Sequence, residues 1–242
     1  MNNIANSDSI NGWSKVPEDT LVKFGEFGDF GRQYLLNPAL FKLLGDVNNK
    51  KILDAGCGQG YLSRLLAKRG AKMTSVEPAD SLINYAKKLE LTDKLGIEYI
   101  QEDLSSWKSS TNNFDVVISN MVFMDIPDYQ TAIHNCITAL KTGGLFVFSI
   151  SHPCFFDGSN EEWNKNKYVL TKEYFKEYST KPTYGYSFHR TLSTYLNFVI
   201  KDGCTIQEII EPQLPEEIGL QNPDWSKDMH IPTYFVVSVT KN

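Results

Sequence analysis

The most constraining feature of this sequence is a glycine-rich loop between a predicted strand and a predicted helix. The strand KILDA covers residues 51–55, and the helix begins at Tyr61 with leucines at helical spacing. Between them, Gly56, Gly58 and Gly60 occupy every second position. Glycines let the chain turn sharply and let a ligand approach the backbone, because no Cβ stands in the way. This unit predicts an α/β sheet with a ligand site at the carboxyl ends of its strands.

The spacing of these glycines separates the loop from the dinucleotide-binding fingerprint. The pattern is GxGxG, whereas the dinucleotide fingerprint is GxGxxG, with its third glycine one position later. Asp54 also lies two residues before the first glycine. A carboxylate there repels a diphosphate and attracts an ammonium or sulfonium group. The loop therefore argues against a nicotinamide-dependent oxidoreductase, which stays open as an alternative.

Strands and helices alternate along most of the chain, which predicts a parallel sheet with helices on both faces. The strand at 114–120 is almost wholly apolar, as expected of one covered on both sides. The last two predicted strands, 204–211 and 233–240, are joined by a Pro-rich loop and are interpreted as antiparallel neighbours. We therefore predict an α/β fold: a Rossmann-like, doubly wound, seven-stranded, mostly parallel sheet with an antiparallel last strand. The other predicted elements are strands at 51–55, 72–77, 96–100 and 145–151 and helices at 38–44, 61–68, 79–89, 129–140 and 191–201.

Four parts of the chain are predicted. They are an N-terminal lid (1–36), a ligand-binding core (37–151), an aromatic-rich helical insertion that covers the substrate (152–190), and the end of the core with its antiparallel strand pair (191–242). The insertion holds ten aromatic residues between positions 155 and 188, and disordered segments are poor in aromatics, so we expect it to fold. Residues 1–12 are polar and rich in Asn and Ser, and we expect them to fray.

Composition excludes several classes of protein. The 242 residues are 41% hydrophobic and 22% charged, which is ordinary for a globular chain. The longest apolar runs are strand-sized, so no membrane span is predicted. The first residues lack the basic and apolar regions of a secretory signal. A net charge of −5 argues against a nucleic-acid partner. The four cysteines are widely spaced and predict thiols in a reducing cytoplasm, with no metal site.

Polar side chains end three further strands. Glu77 ends the second strand, where an acid suits hydrogen bonds from ribose hydroxyls. Asp103 follows the third strand; it can accept from the exocyclic amine of adenine, or cap the turn at 105–107. Asn120 ends the fourth strand, where it can face a ligand or only form a turn.

Together these motifs resemble the class I S-adenosylmethionine-dependent methyltransferases over residues 51–151, and residues 149–155, 188–197 and 203–212 resemble bacterial small-molecule members. The resemblance implies S-adenosylmethionine as cofactor, S-adenosylhomocysteine as product, and in-line transfer of a methyl group to an O, N or C nucleophile of a small molecule. A non-catalytic cofactor-binding partner or regulatory protein stays open. The implied cofactor-binding residues are Asp54, Ala55, Gly56, Cys57, Gly58 and Gly60 around the methionine part, Glu77 and Pro78 at the ribose, Asp103 and Leu104 at the adenine, Asn120 and Met121 facing the sulfonium, and Arg32 at the cofactor carboxylate. Arg32 is equally compatible with a solvated surface charge.

Candidates for the acceptor side come from the lid and the insertion. His152, just past the fifth strand, and His189 are candidate general bases, and each is also compatible with a structural histidine. Trp13, Tyr34, His152 and Arg190 are the candidate substrate-binding residues. The expected partner is a small-molecule methyl acceptor, with neither nucleic acid nor membrane, and the expected assembly is a monomer or homodimer.

Overall fold

The structure is a computed structural model that describes residues 4–156 and 158–242. Its strands are β1 (Lys51–Ala55), β2 (Lys72–Val76), β3 (Glu98–Ile100), β4 (Phe114–Asn120), β5 (Leu140–Ser151), β6 (Tyr178–Thr180), β7 (Ser187–His189), β8 (Cys204–Ile210) and β9 (Tyr234–Lys241). Seven of them form one sheet in the order β3-β2-β1-β4-β5-β9-β8, and β6 pairs with β7 separately. Within the seven-stranded sheet β9 alone runs antiparallel to the other six strands. The predicted fold class is confirmed.

Helices cover both faces of this sheet. They are α1 (Asn6–Trp13), α2 (Glu18–Val22), α3 (Asn37–Leu44), α4 (Tyr61–Lys68), α5 (Asp80–Asp93), α6 (Tyr129–Ala139), α7 (Asn160–Asn166), α8 (Leu192–Lys201) and α9 (Glu216–Gln221), with a π-helical turn at Arg32–Leu36 and 3₁₀ turns at Phe123–Asp125, Pro153–Phe155 and Pro223–Met229. Side-chain caps fix two of the helix starts: Asp128 accepts from the backbone N–H of Thr131 before α6, and Thr191 accepts from that of Thr194 before α8. No helix in the described ranges is both long and apolar enough to cross a membrane.

Two apolar clusters, one on each face, hold the sheet between the helices. Successive side chains of a strand point to opposite faces, so neighbouring residues of one strand join different clusters. On one face Leu53 and Val117 pack with Ile133 of α6 and Tyr195 of α8. On the other face Ile52, Val116, Ile118 and Val147 pack with residues of α3 and α4, including Leu40, Leu62 and Leu66. Burial of each such side chain contributes roughly 1.5–3 kcal/mol to the free energy of folding. The packed clusters therefore hold the strand ends in a rigid framework.

Three local predictions differ from the structure. The segment between β8 and β9 is not a simple Pro-rich loop, because α9 and the turn Pro223–Met229 lie there. Pro215 and Pro223 precede or begin these helices, where the missing N–H of proline carries no penalty. The strand predicted at 145–151 begins earlier, at Leu140, and includes Gly143 and Gly144, where its register with β4 shifts. The described part of the insertion contains one α-helix and the β6–β7 hairpin, so it is less helical than expected.

The N-terminal segment is more ordered than its composition suggests. From Asn6 to Trp13 it forms α1, and Ser9 of this helix is buried. Gly12 packs so closely on Gly185 of the insertion that a Cβ would lie 2.3 Å from its backbone nitrogen. Residues 1–3, also expected to fray, lie outside the described residues. Contacts with distant parts of the chain thus stabilise a helix whose own sequence is weakly apolar.

Candidate active site

A cavity of about 300 Å³ opens at the carboxyl ends of β1, β2 and β4. It lies at the point where the strand order reverses, between β1 and β4, which is where doubly wound sheets bind ligands. The chain segments 6–13 and 21–32 supply further lining residues. Twelve predicted site residues come together in the lining: Trp13, Arg32, Asp54, Gly56, Cys57, Gly58, Glu77, Pro78, Asp103, Leu104, Asn120 and Met121.

The glycine loop has the left-handed backbone that its sequence predicts. Gly56 and Gly58 have φ values of 80° and 55°. The N–H groups of Gly56 and Cys57 both donate to the carbonyl of Val76, at 2.8 and 3.0 Å, and so hold the loop against β2. A Cβ on Gly58 would meet nothing within 4 Å, whereas one on Gly56 would lie 2.5 Å from Val122. The loop therefore leaves open space at Gly58 and is tightly packed at Gly56.

Two buried carboxyl groups lie at the base of the cavity. Asp54 Oδ2 accepts from Ser63 Oγ at 2.5 Å, and Ser63 in turn accepts from Ser75 at 2.9 Å. Burial raises the pKa of Asp54 to about 6, although the bond from Ser63 opposes the shift. Glu77 Oε2 accepts from the N–H of Gly58 at 3.0 Å, and Oε1 from that of Ala79 at 2.9 Å. Burial raises the pKa of Glu77 to about 7 against these two bonds.

These groups suit a ligand that donates hydrogen bonds and carries positive charge. Each carboxylate oxygen has two lone pairs, so Glu77 can accept from a ligand hydroxyl pair while keeping both of its backbone partners. A cationic ligand also offsets the desolvation of two buried carboxylates in one cavity. The open space at Gly58 lies beside Glu77, to which its N–H donates. The donor set therefore fits a ribose together with a sulfonium or ammonium group.

Asp103 caps the predicted turn, Asn120 bonds to two distant side chains, and both residues line the cavity. Asp103 Oδ1 accepts from the N–H of Ser105 at 2.9 Å, which is the predicted turn cap, and its Oδ2 accepts from Asn6 of α1 at 2.9 Å. Asn120 donates to Tyr61 at 2.7 Å and accepts from Ser149 at 2.6 Å. The turn after Asn120 places Met121 at a φ of 62°, unusual for a residue with a side chain.

Arg32 is the one residue with a cationic side chain among the described residues of this lining. Its guanidinium is paired with Asp29 and lies 5.1 Å from the ring centroid of Phe24, and its side chain is 24% exposed. It is therefore a partly buried, fixed charge and not a solvated surface group.

Three other predicted residues do not line the cavity. Ala55 lies within β1, and Gly60 precedes α4 with its Cα against Tyr99, whose hydroxyl a Cβ would approach to 2.5 Å. Tyr34 packs on Phe30, with ring centroids 4.7 Å apart. These residues support the glycine loop and the lid from outside the cavity.

The two candidate bases also lie elsewhere. His152 is buried, and its Nε2 lies 2.7 Å from Glu211 while its Nδ1 accepts from the N–H of Cys154. His189 is buried between the carbonyls of Lys176 and Pro153, at 3.1 and 3.2 Å from its ring nitrogens. Neither side chain is part of the cavity lining. Their geometry matches the structural interpretation, because their ring nitrogens already have protein partners.

Arg190 has a different position from the one predicted. It is buried outside the cavity lining, and it donates to the carbonyls of Phe123 at 3.0 Å, Ile126 at 2.9 Å and Pro127 at 3.3 Å. It also donates to Tyr195 at 3.2 Å. Arg190 therefore holds the loop that follows β4 and does not face a substrate.

Among the described residues of the lining, sequence reasoning missed one carboxylic acid and much of the lid. Asp125 lines the cavity from the turn after β4, and burial raises its pKa to about 7 against a bond from Ser187 and the charges of Arg32 and Arg190. Its sequence position signals only that it lies five residues after Asn120, beyond the end of a buried strand. The missed lid residues Asn6, Ser9, Ile10 and Phe24 carry no motif.

Comparison with known proteins agrees with this geometry. Residues 53–148 match the model of a methyltransferase domain. A ubiquinone biosynthesis O-methyltransferase from Coxiella burnetii is 32% identical over 145 residues, covering 55% of this chain and 62% of that protein. One of the same name from Salmonella newport is 30% identical over 127 residues, covering 50% and 52%. The chain thus spans little more than half the length of these relatives.

Solved structures show the same fold. An S-adenosylmethionine-dependent methyltransferase from Mesorhizobium loti superposes with a TM-score of 0.73 at 24% identity, covering 84% of this chain and 96% of the other. The sheet order, the glycine loop and the acid at the end of β2 define a Rossmann-like ligand-binding α/β protein. Together with the methyltransferase-domain match of residues 53–148, these features are similar to those of the class I S-adenosylmethionine-dependent methyltransferases. S-adenosylmethionine is the cofactor that this family and fold imply.

Proposed function

We propose that this chain transfers a methyl group from S-adenosylmethionine to a hydroxyl oxygen of a small molecule. The single observation that carries the proposal is the convergence of the glycine loop, Asp54 and Glu77 on one cavity at the switch point of the sheet. The names of the related O-methyltransferases favour oxygen over nitrogen or carbon as the acceptor atom. The free cysteines favour a reducing compartment, so we propose the cytoplasm as its location.

In this proposal the chain contributes mainly binding and alignment. The cofactor supplies an electrophilic methyl group on a sulfonium when bound. Glu77 would accept from the ribose hydroxyls, Asp54 and the glycine loop would surround the methionine part, and Arg32 would hold its carboxylate. The lid helix α1 excludes water from the cavity, and its contacts with Asp103 and with the carbonyl of Asp125 hold it closed. Such alignment supplies roughly 7–11 kcal/mol of a barrier.

Calorimetric titration of the protein with S-adenosylhomocysteine and, separately, with NADH tests the cofactor. We expect 1:1 binding of S-adenosylhomocysteine only. Glu77→Gln should weaken it by about 10- to 100-fold, because a charged hydrogen bond contributes roughly 1.5–3 kcal/mol. Glu217→Gln, at an exposed position in α9, is the matched control and should bind as the wild type does.

Other outcomes would contradict the proposal. Binding of NADH alone would favour the oxidoreductase. Binding of S-adenosylhomocysteine without methyl transfer from labelled S-adenosylmethionine to any small hydroxylated acceptor would favour a non-catalytic, cofactor-binding protein.

A further inference from the structure

The cavity contains one carboxyl group that the proposed cofactor contacts do not use. Asp125 ends the 3₁₀ turn Phe123–Asp125, four residues beyond Met121, and is one of the residues that line the cavity. Ser187 of β7 donates to it, and Arg32 and Arg190 are the charged groups that act on it. Asp125 also acts on the buried hydroxyl of Tyr195, because its negative charge adds to the effect of burial in raising the pKa of that hydroxyl. Asp125 is therefore a carboxyl group between the cavity and the insertion.

The topology places Asp125 across the switch point from the carboxyl groups of Asp54, Glu77 and Asp103. Asp54, Glu77 and Asp103 follow β1, β2 and β3, which lie on one side of the switch point. Asp125 follows β4 on the other side, and its partner Ser187 belongs to the insertion. Its neighbours in the lining, Met124, Ile126 and Pro127, are apolar. An apolar acceptor lying there meets a single carboxyl group.

The backbone that carries Asp125 is fixed from two sides. Arg190 donates to the carbonyls of Phe123, Ile126 and Pro127, so it holds the turn both before and after Asp125. Ser9 of α1 donates to the carbonyl of Asp125 itself at 2.8 Å. A buried arginine with three carbonyl acceptors leaves the loop little freedom. Arg190 is therefore a positioning residue for this carboxyl group.

We propose that Asp125 is the general base that accepts the proton of the acceptor hydroxyl during methyl transfer. The proposal rests on the function proposed above. The acceptor O–H bond breaks and its proton moves to a carboxylate oxygen of Asp125. The oxygen lone pair forms the new bond to the methyl carbon, and the electron pair of the breaking carbon–sulfur bond stays on sulfur.

The charge state of Asp125 suits this role near neutral pH. Burial raises its pKa to about 7, while the bond from Ser187 and the two arginines oppose the shift. A base works best when its pKa lies near the working pH. The rate with an un-ionised acceptor should therefore rise with pH up to about 7 and then level off.

The test compares two phenols in the same assay. Catechol is un-ionised at pH 8 and needs a base, whereas 4-nitrocatechol has lost the proton of the hydroxyl para to its nitro group and needs no base for methylation of that oxygen. Labelled S-adenosylmethionine supplies the methyl group. Asp125→Asn should lower kcat/KM for catechol by about 10²–10⁴-fold, the usual contribution of general-base catalysis. It should leave 4-nitrocatechol turnover and S-adenosylhomocysteine binding close to wild type.

Two further variants complete the design. Asp224→Asn, at an exposed position outside the cavity lining, is the matched control and should change neither phenol's turnover. Ser187→Ala keeps the base but removes a bond that lowers the pKa of Asp125, so the acid limb of the catechol rate profile should move to higher pH. This shift is a readout that does not depend on how well Asp125→Asn folds.

The outcomes separate this proposal from the one it rests on. Equal losses on both phenols, no loss on catechol, or an unmoved acid limb in Ser187→Ala would overturn the assignment of Asp125 as the base. Wild-type protein that binds S-adenosylhomocysteine but methylates neither phenol would overturn the hydroxyl acceptor and this proposal with it. Wild-type protein that does not bind S-adenosylhomocysteine would overturn the proposed function itself.

Discussion

Two glycines in one loop should respond very differently to the same substitution. Gly56 and Gly58 both have left-handed backbone, with φ values of 80° and 55°. Alanine in that region costs roughly 1–2 kcal/mol at either position. At Gly56 the new Cβ would also lie 2.5 and 2.6 Å from the two methyl groups of Val122, whereas at Gly58 it would meet nothing within 4 Å.

The steric overlap sets the difference between the two variants. Overpacking of this kind typically costs about 1–3 kcal/mol, because a side chain or the loop has to move. We therefore expect Gly56→Ala to lower the free energy of unfolding by about 2–5 kcal/mol and Gly58→Ala by about 1–2 kcal/mol. Urea denaturation of the ligand-free protein measures both values, provided that the m-value is unchanged.

A third variant isolates the overlap. In the double variant Gly56→Ala/Val122→Ala the two methyl groups are gone, so the loss should be smaller than the sum of the two single losses. Equal losses for Gly56→Ala and Gly58→Ala, or strict additivity in the double variant, would refute the reasoning. Gly58→Ala should also weaken S-adenosylhomocysteine binding more than it weakens folding, because its Cβ enters space open to the cavity.

Two further predictions concern buried charges. Arg190→Lys should destabilise the protein by about 2–4 kcal/mol in urea denaturation, because one ammonium cannot reach three carbonyls that the planar guanidinium reaches together; a loss no larger than that of the exposed Arg69→Lys would contradict it. The raised pKa of Glu77, about 7 against an ordinary value of 4.5, means that the folded state keeps a proton which the unfolded state has lost, so the stability of the ligand-free protein should fall as pH rises from about 4.5 to about 7. Glu77→Gln should flatten this part of the pH–stability curve, and an unchanged slope would argue against a buried, protonated Glu77.

Local sequence patterns predicted the framework of the fold. The helix at 61–68 and the strand at 114–120 have the predicted bounds because local residues specify each of them. The helix follows a glycine and has leucines at helical spacing, and the strand is an almost unbroken apolar run. The sequence predicts the position of Glu77 for the same reason, since the strand before it can be recognised from its own residues. Pro215 and Pro223 predict a loop, but they lie at the starts of α9 and of the turn Pro223–Met229. Proline is common both in loops and at the first positions of helices, so its presence does not distinguish the two.

Distant contacts decided the rest of the site. Nothing near His152 in the chain reveals that Glu211 pairs with it, 59 residues away, and nothing near Arg190 shows that its acceptors lie between residues 123 and 127. The order of α1 depends on Asp103, 97 residues from Asn6. The sequence by itself determined the individual strands and helices and the chemistry of the glycine loop, because these depend on neighbouring residues. Only the tertiary structure moved the histidines out of the cavity and brought Asp125 into it, because burial and pairing across long separations depend on how the whole chain packs.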